Sequence, residues 1–529
     1  MTSKHYRLLT SLMVLFAVAG SEAQTAPEVP RLVVNILIDQ LRSDYLEAFS
    51  PLYSQYGFLR LMKQGRMYTQ AEYPFDSPDR ASSIACFMSG TSPYENGIVA
   101  ERWLDRQTLQ PIFCVDDSEY AGYGSSEATS PKNLAVSTLG DELKVATEGA
   151  GLVYSVSPSR DAAILLAGHA ANAAFWLSEF TGQWCGSSFY GDFPKWAAEY
   201  NSSKESLAKR IDKIDWQPSN DLVGNFDYFM APTESKKPFK HSFSGDRRFV
   251  EFKASACVND EVNQFVSHIF KNTQMGLDAV TDILNISYYA GNYDHKSVTE
   301  CPLEMQDTYV RLDHSLADLI EMLETKVGKG RVLYVVTSTG RTEPDDIADL
   351  SKYKIPSGTF SISKAQLLLN MYLMAVYGQG QYVETCFENQ LFLDHKLIEN
   401  RNLNLTEVLE RSSDFLIQLS GVRDIYTSER LALGAWTPGI SKFRNAYNPK
   451  CSGDIFIQIA PGWTLLNENT LERTICRESY VGFPLFFFGC NVESGKVVAP
   501  VSIDRVAPTL AQHMRIRAPN ACSLAPLNY

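Results

Sequence analysis

The chain of 529 residues lacks any long cluster of Lys and Arg, and its 48 basic side chains are outnumbered by 61 acidic ones, a net charge of −13. A nucleic-acid partner needs a basic face to meet phosphate, so that class is excluded. No Cys-x-x-Cys pair occurs among the ten cysteines, which argues against a structural zinc knuckle. After the first two dozen residues no apolar run approaches the ~20 residues that span a bilayer, so no transmembrane segment is expected in the mature chain. Histidine is also scarce, with 8 in the whole chain.

What remains is the composition of an ordinary globular protein, 45% hydrophobic and 21% charged. Lys4 and Arg7 precede the apolar run from Leu8 to Ala19, and Ser21-Glu22-Ala23 offers small residues at the −3 and −1 positions of a signal-peptidase site. Residues 1–23 therefore read as a signal peptide, whose removal takes the net charge from −13 to −14. No cysteine follows the run, so a lipid anchor is not expected. The expected location is the periplasm, with the outer membrane or cell surface as the alternative. In such an oxidising compartment the ten cysteines suggest several disulfides, with burial as small apolar side chains the competing reading.

Apolar runs of strand length alternate with helical patterns, the signature of an α/β fold. Leu32 to Asp39 (LVVNILID) reads as a buried strand ending at an acid. Asp282 to Tyr289, Val332 to Thr337 and Pro484 to Gly489 repeat that grammar, and each is followed by polar or Gly-rich residues. The carboxyl ends of such strands are where open α/β sheets place their sites. Helical periodicity covers Val310 to Leu323 and Ala365 to Tyr377.

Asp39 in LIDQLRSDYL and the segment Ser89 to Ile98 (SGTSPYENGI) resemble the alkaline phosphatase superfamily, specifically its exported phosphatases with a Thr nucleophile and their phosphodiesterase relatives. The resemblance continues through Ala167 to Trp176 (AGHAANAAFW), Ser452 to Trp463 (SGDIFIQIAPGW) and Ala507 to Leu510 (APTL), and so covers almost all of the mature chain. It implies a mostly parallel central sheet flanked by helices on both faces, one domain over 24–529, and cap insertions at about 178–270 and 345–450. It also implies two zinc ions about 4 Å apart that clamp the attacking and leaving oxygens at phosphorus, each held by about three Asp and His ligands.

Matched position by position, the chain departs from that chemistry. Asp39 matches the first ligand, but the nucleophile position falls on Arg80, with Ser77, Ser82 and Ser83 nearby. In the D-x-x-x-H pair His295 is retained and the acid is lost, at Gly291 by spacing or Asn292 by strand register. The second D-H pair corresponds to Thr339 and Gly340, and the final His to Gly482. Of the seven histidines after the leader, only His295 lies at a matching site. The substrate clamps are altered as well: Glu101 stands in place of Asn, and Ser159 and Asp161 replace a K-x-R pair, with Arg160 one residue out of register. The surviving ligand-type residues are thus Asp39 and His295.

The expectation is an exported pseudoenzyme with no cofactor, in which Arg80 neutralises an otherwise unpaired Asp39. It would act as a non-catalytic envelope protein holding a protein partner or a glycan. The alternatives are a phosphoric ester hydrolase with an altered or mononuclear zinc site, and an inert scaffold within a larger complex.

Overall fold

A computed structural model describes residues 28–220, 238–342, 356–434, 438–466, 473–476 and 481–527. The signal-peptide reading of residues 1–23 lies outside the described residues. The strands that position the site are β1 (Leu32–Asp39), β2 (Arg66–Glu72), β3 (Val153–Ser157), β4 (Ala173–Leu177), β5 (Trp184–Ser187), β6 (Asp282–Tyr289), β7 (Val332–Ser338) and β8 (Phe483–Gly489). They belong to an 11-stranded sheet among the described residues, in the order β2-β8-β7-β1-β6-β3-β4-β5, with short strands at its edges. β7, β1, β6, β3 and β4 run parallel, while β8 is antiparallel to β7 and β5 to β4.

Every residue of β1 is buried, as a run that is apolar apart from Asn35 and the terminal Asp39 requires of a strand covered on both faces. Its side chains alternate between two cores. Leu32, Val34, Ile36 and Ile38 pack on one face, and Val33 and Leu37 on the other. Asn35 falls on the second face and bonds Asn285 of β6 at 2.8 Å, and Asn285 in turn bonds the carbonyl of Leu166. The same parity turns Asp39 toward the second face.

That face is covered by α1 (Arg80–Ser89) and α2 (Arg160–Ala167), while α3 (Cys257–Asn272) and α4 (Pro302–Val327) cover the other. α4 runs further than the periodicity from Val310 to Leu323 suggests, starting with Pro302 in its first turn and stopping at Gly328. α5 (Ile362–Tyr377) belongs to a third core, built on a four-stranded sheet that includes Val383–Phe387, Gln390–Leu393, Val422–Thr427 and Ile455–Ile459. Arg106 reaches across to this unit, bonding Asp454 and the carbonyl of Ser452. Around the other expected cap, the aromatics Phe193 and Trp196 pack against the first core.

The cysteines correct the disulfide expectation. No disulfide joins any of the ten among the described residues, and seven are buried. Burial in apolar surroundings raises the Cys185 and Cys257 thiols to about 12, so these side chains serve as small apolar fillers.

Candidate functional site

Parallel strands deliver their carboxyl ends to one edge of a sheet, and here five do so. Asp39 ends β1, and the segments after β6, β7, β3 and β4 bring His295, Thr339, Ser159 with Asp161, and Glu179 to the same edge. Two helix starts meet there as well. Asp79 caps α1 through a reciprocal pair of bonds with Ser82, which puts Arg80 at the first helical position. Ser159 occupies the cap position of α2.

Arg80 is the hub. Its Nε and Nη2 each donate to one oxygen of Asp161 at 2.9 Å, a bidentate fork. The guanidinium also lies 3.1 Å from Glu101 and 3.5 Å from Asp39. Arg80, Asp161 and Asp39 are nearly sealed, with side-chain exposures of 14%, 7% and 6%, whereas Glu101 keeps 33%. The expected Arg80–Asp39 pairing is therefore present in weaker form, since Asp161, at an altered clamp position, takes the closer contact. Burial pushes the Asp161 carboxyl up, but the charge and fork of Arg80 more than offset this and leave it below the usual range. Glu101 is raised, first by burial and then by the charge of Asp161, with Arg80 opposing.

The other matched positions offer little to a metal. Thr339 donates its hydroxyl to Asp39 Oδ1 at 2.8 Å. A side chain at Gly291 would meet the Tyr289 hydroxyl at 2.6 Å and the Gln40 amide at 2.7 Å, so these two side-chain ends would have to shift to admit a carboxylate. Gly340, in the left-handed region at φ 70°, faces the rings of Phe483 and Tyr73. Asn292 is buried. Gly482 lies open, its carbonyl accepting from the Ser43 amide. Ser82 is engaged in the α1 cap, and Ser77 bonds Asp76. Among the described residues, no three His, Cys, Asp or Glu side chains gather in a metal-holding group. The donor set does not fit two zinc ions: Asp39 is the one carboxylate at a matched ligand position, and a guanidinium stands against it.

Two adjoining cavities open on this edge. The smaller, about 270 Å³, is lined by Asp39, Arg80, Glu101, Lys253 and His295 among others. The larger, about 520 Å³, shares Arg80, Glu101, Ser159, Glu179 and Lys253 with it and extends past Arg160 to Phe113 and Phe180. His295 and Asp294 are consecutive non-glycine residues with positive φ, 55° and 49°, and Gln40 beside Asp39 has φ 66°. Such strain persists where the surroundings enforce it, and it concentrates at functional sites. Arg160 turns away from Arg80, bonding Asp116 at 2.9 Å and lying over the Phe113 ring, so it does not restore the clamp.

Sequence reasoning missed Glu179 and Lys253, which pair at 2.6 Å. The Lys253 ammonium holds Glu179 below the usual carboxylate range. Glu179 was within reach of the strand-end rule, since it follows β4 by two residues; Lys253 ends a short helix, Arg248–Lys253, with no local signal. Four of the remaining histidines bond separate carboxylates: His169 with Asp141, His241 with Glu304, His268 with Glu205 and His395 with Asp454.

Comparison with known proteins agrees with this architecture. The Type I phosphodiesterase / nucleotide pyrophosphatase family matches residues 33–481. A protein of Myroides odoratus named calcium-transporting ATPase is 30% identical, over 96% of this chain and 95% of its own. Alkaline phosphatase PhoV of Synechococcus elongatus is 27% identical over 97% of each chain. Alkaline phosphatase PafA of Elizabethkingia meningoseptica is 24% identical over 98% of each. The solved structure of wild-type PafA superposes with a TM-score of 0.81 at 25% identity, covering 95% of this chain and 99% of that one. The chain therefore belongs to the type I phosphodiesterase / nucleotide pyrophosphatase family of hydrolases, within the alkaline phosphatase superfamily.

Proposed function

We propose that this member is a pseudoenzyme: an exported binding or assembly protein of the cell envelope that keeps the cleft of the fold without its two-zinc chemistry. The observation that carries the reading is the Arg80 guanidinium, held by a bidentate fork to Asp161 and 3.5 Å from Asp39. Arginine stays protonated, so it cannot serve as the nucleophile that a phospho-enzyme requires, and its charge opposes a divalent cation at Asp39. Glu101 adds a carboxylate where a phosphate dianion would need donors, and Asp161 already takes the fork that an incoming phosphate would seek. The positive-φ residues around the cleft support its retention as a site rather than as inert packing.

The second reading, a hydrolase with an altered site, is favoured by the phosphatase relatives and by Asp39 and His295 lining one cavity. Elemental mass spectrometry of the purified protein, with aryl phosphate hydrolysis on the same sample and on Asp39→Ala, decides between them. The pseudoenzyme reading expects less than about 0.1 zinc per chain and no turnover above the variant, because a two-zinc site needs about three ligands per metal. Zinc near two per chain, with turnover lost in Asp39→Ala, refutes it.

A further inference from the structure

We propose that the two adjoining cavities form one binding site for a neutral, polyhydroxylated ligand, a short oligosaccharide, with Phe180 and Phe113 as its stacking surface. The proposal deepens the binding reading above and rests on it.

The charges come first. The cations lining the larger cavity are Arg80, Arg160 and Lys253, and each already holds a carboxylate: Asp161 at 2.9 Å, Asp116 at 2.9 Å and Glu179 at 2.6 Å. Arg341, on the wall of the smaller cavity, lies where its charge acts on the Glu101 carboxylate. An anionic ligand would have to displace one of these partners and leave a carboxylate against it. A cation would face the same exchange in reverse. A sugar diol does neither, since adjacent hydroxyls donate to the acid and accept from the base of one pair while both stay neutralised. Such bonds are charge-assisted and strong for a neutral ligand. Ser125, Ser126 and Thr181 add further polar groups to the wall of the same cavity.

The aromatics supply the second half. Phe180, 87% exposed, and Phe113, 42% exposed, both line the larger cavity. A single exposed Phe is common, but the backbone that carries this one is held in place. The Phe180 and Thr181 amides both donate to Ser178 Oγ at 3.2 Å, and the Gly182 amide closes the turn onto the Ser178 carbonyl. Gly182 has φ 64° and lies so close to the Phe249 ring that a side chain there would collide with it. Phe113 is steadied by the Arg160 guanidinium 5.4 Å from its ring centroid. The apolar C–H face of a pyranose lies flat on such rings while its hydroxyl edge meets the ion pairs. A volume of about 520 Å³ falls in the range of small-ligand clefts.

The test is isothermal calorimetry of the full mature chain against three neutral trisaccharides, maltotriose, cellotriose and tri-N-acetylchitotriose, with inorganic phosphate as the anionic probe. The proposal expects saturable binding of at least one sugar that changes less than about twofold between low and high salt, because no net charge is exchanged. It also expects Phe180→Ala, which removes an exposed side chain without disturbing the core, to weaken that binding about tenfold or more at unchanged melting temperature. Failure of all three sugars to bind, sugar binding indifferent to Phe180→Ala, or competition by phosphate overturns it. The outcomes separate from those of the broader reading: zinc-dependent turnover of an aryl phosphate refutes the pseudoenzyme, whereas absent sugar binding in an inactive protein refutes only the ligand class.

Discussion

Replacing Arg80 by alanine removes the cation that faces Asp161, Glu101 and Asp39 together. Two charge-assisted hydrogen bonds to Asp161 are lost, and hydrogen bonds to charged groups contribute about 1.5–3 kcal/mol each. Breaking a buried ion pair by deleting one partner costs about 3–5 kcal/mol, because the other charge stays desolvated. Proton uptake by Asp161 relieves part of this, so the expected loss at neutral pH is about 3–4 kcal/mol. The loss depends on pH in a defined direction. In the native protein Arg80 depresses the Asp161 carboxyl, so the stability it lends is present above the unfolded value near 3.9 and fades as pH falls below it. Without Arg80 the Asp161 carboxyl is raised instead, and its ionisation opposes folding as pH climbs. The deficit of the variant should therefore shrink toward pH 4 and be largest at pH 7. Equilibrium urea unfolding followed by circular dichroism at both pH values measures it. A companion variant, Arg80→Met with Asp161→Leu, should recover the part of the loss that falls on Asp161, since apolar replacement of both members of a buried pair is often neutral, while Asp39 and Glu101 still lack their cation. A loss within about 0.5 kcal/mol, the size of an ordinary surface change, would refute the role assigned to Arg80.

Three further outcomes follow from particular contacts. Burial raises the Asp282 carboxyl to about 6 although it accepts the Leu152 and Gly276 amides, so its contribution to stability is fully present at acid pH and is lost as pH rises through about 6; Asp282→Asn should flatten the stability profile between about pH 4 and 6, and an unchanged slope in urea titrations would count against this. Thiol labelling in denaturant without reductant should find ten reactive cysteines per chain, and eight or fewer would restore the disulfide reading. Gly168→Ala should destabilise by at least about 2 kcal/mol in thermal unfolding, because the glycine has φ 70° and an added methyl would lie 2.2 Å from Thr138 Oγ1; a neutral effect would mean that the turn after α2 adjusts freely.

The strands of the site were legible because a strand covered on both faces must be mostly apolar. β1 and β6 run over the spans that the apolar pattern marks, and β7 and β8 differ from it by one residue each. Residue parity along β1 also carries information, since Asp39 shares a side with Val33 and Leu37 and so faces the helix that begins at Arg80. Histidine scarcity and the residues at Arg80, Thr339, Gly340 and Gly482 stand in the sequence itself, and chemical type decides what each is able to donate.

Pairing is a different kind of quantity. Arg80 and Asp161 are 81 positions apart, and nothing in either neighbourhood indicates that α1 and α2 start side by side. Lys253 reaches Glu179 across 74 positions from a helix whose own pattern shows no chemistry. The cysteines mislead for the same reason, because composition and compartment favour bonds that only Sγ positions allow or forbid. Local sequence determined which segments were strands, which strand ended at an acid, and which residue types stand at the positions matched to the family's ligands and nucleophile. Tertiary structure decided which charges neutralise one another, because Coulomb energy and hydrogen-bond geometry depend on separations of a few Å that chain folding sets over distances the sequence does not record.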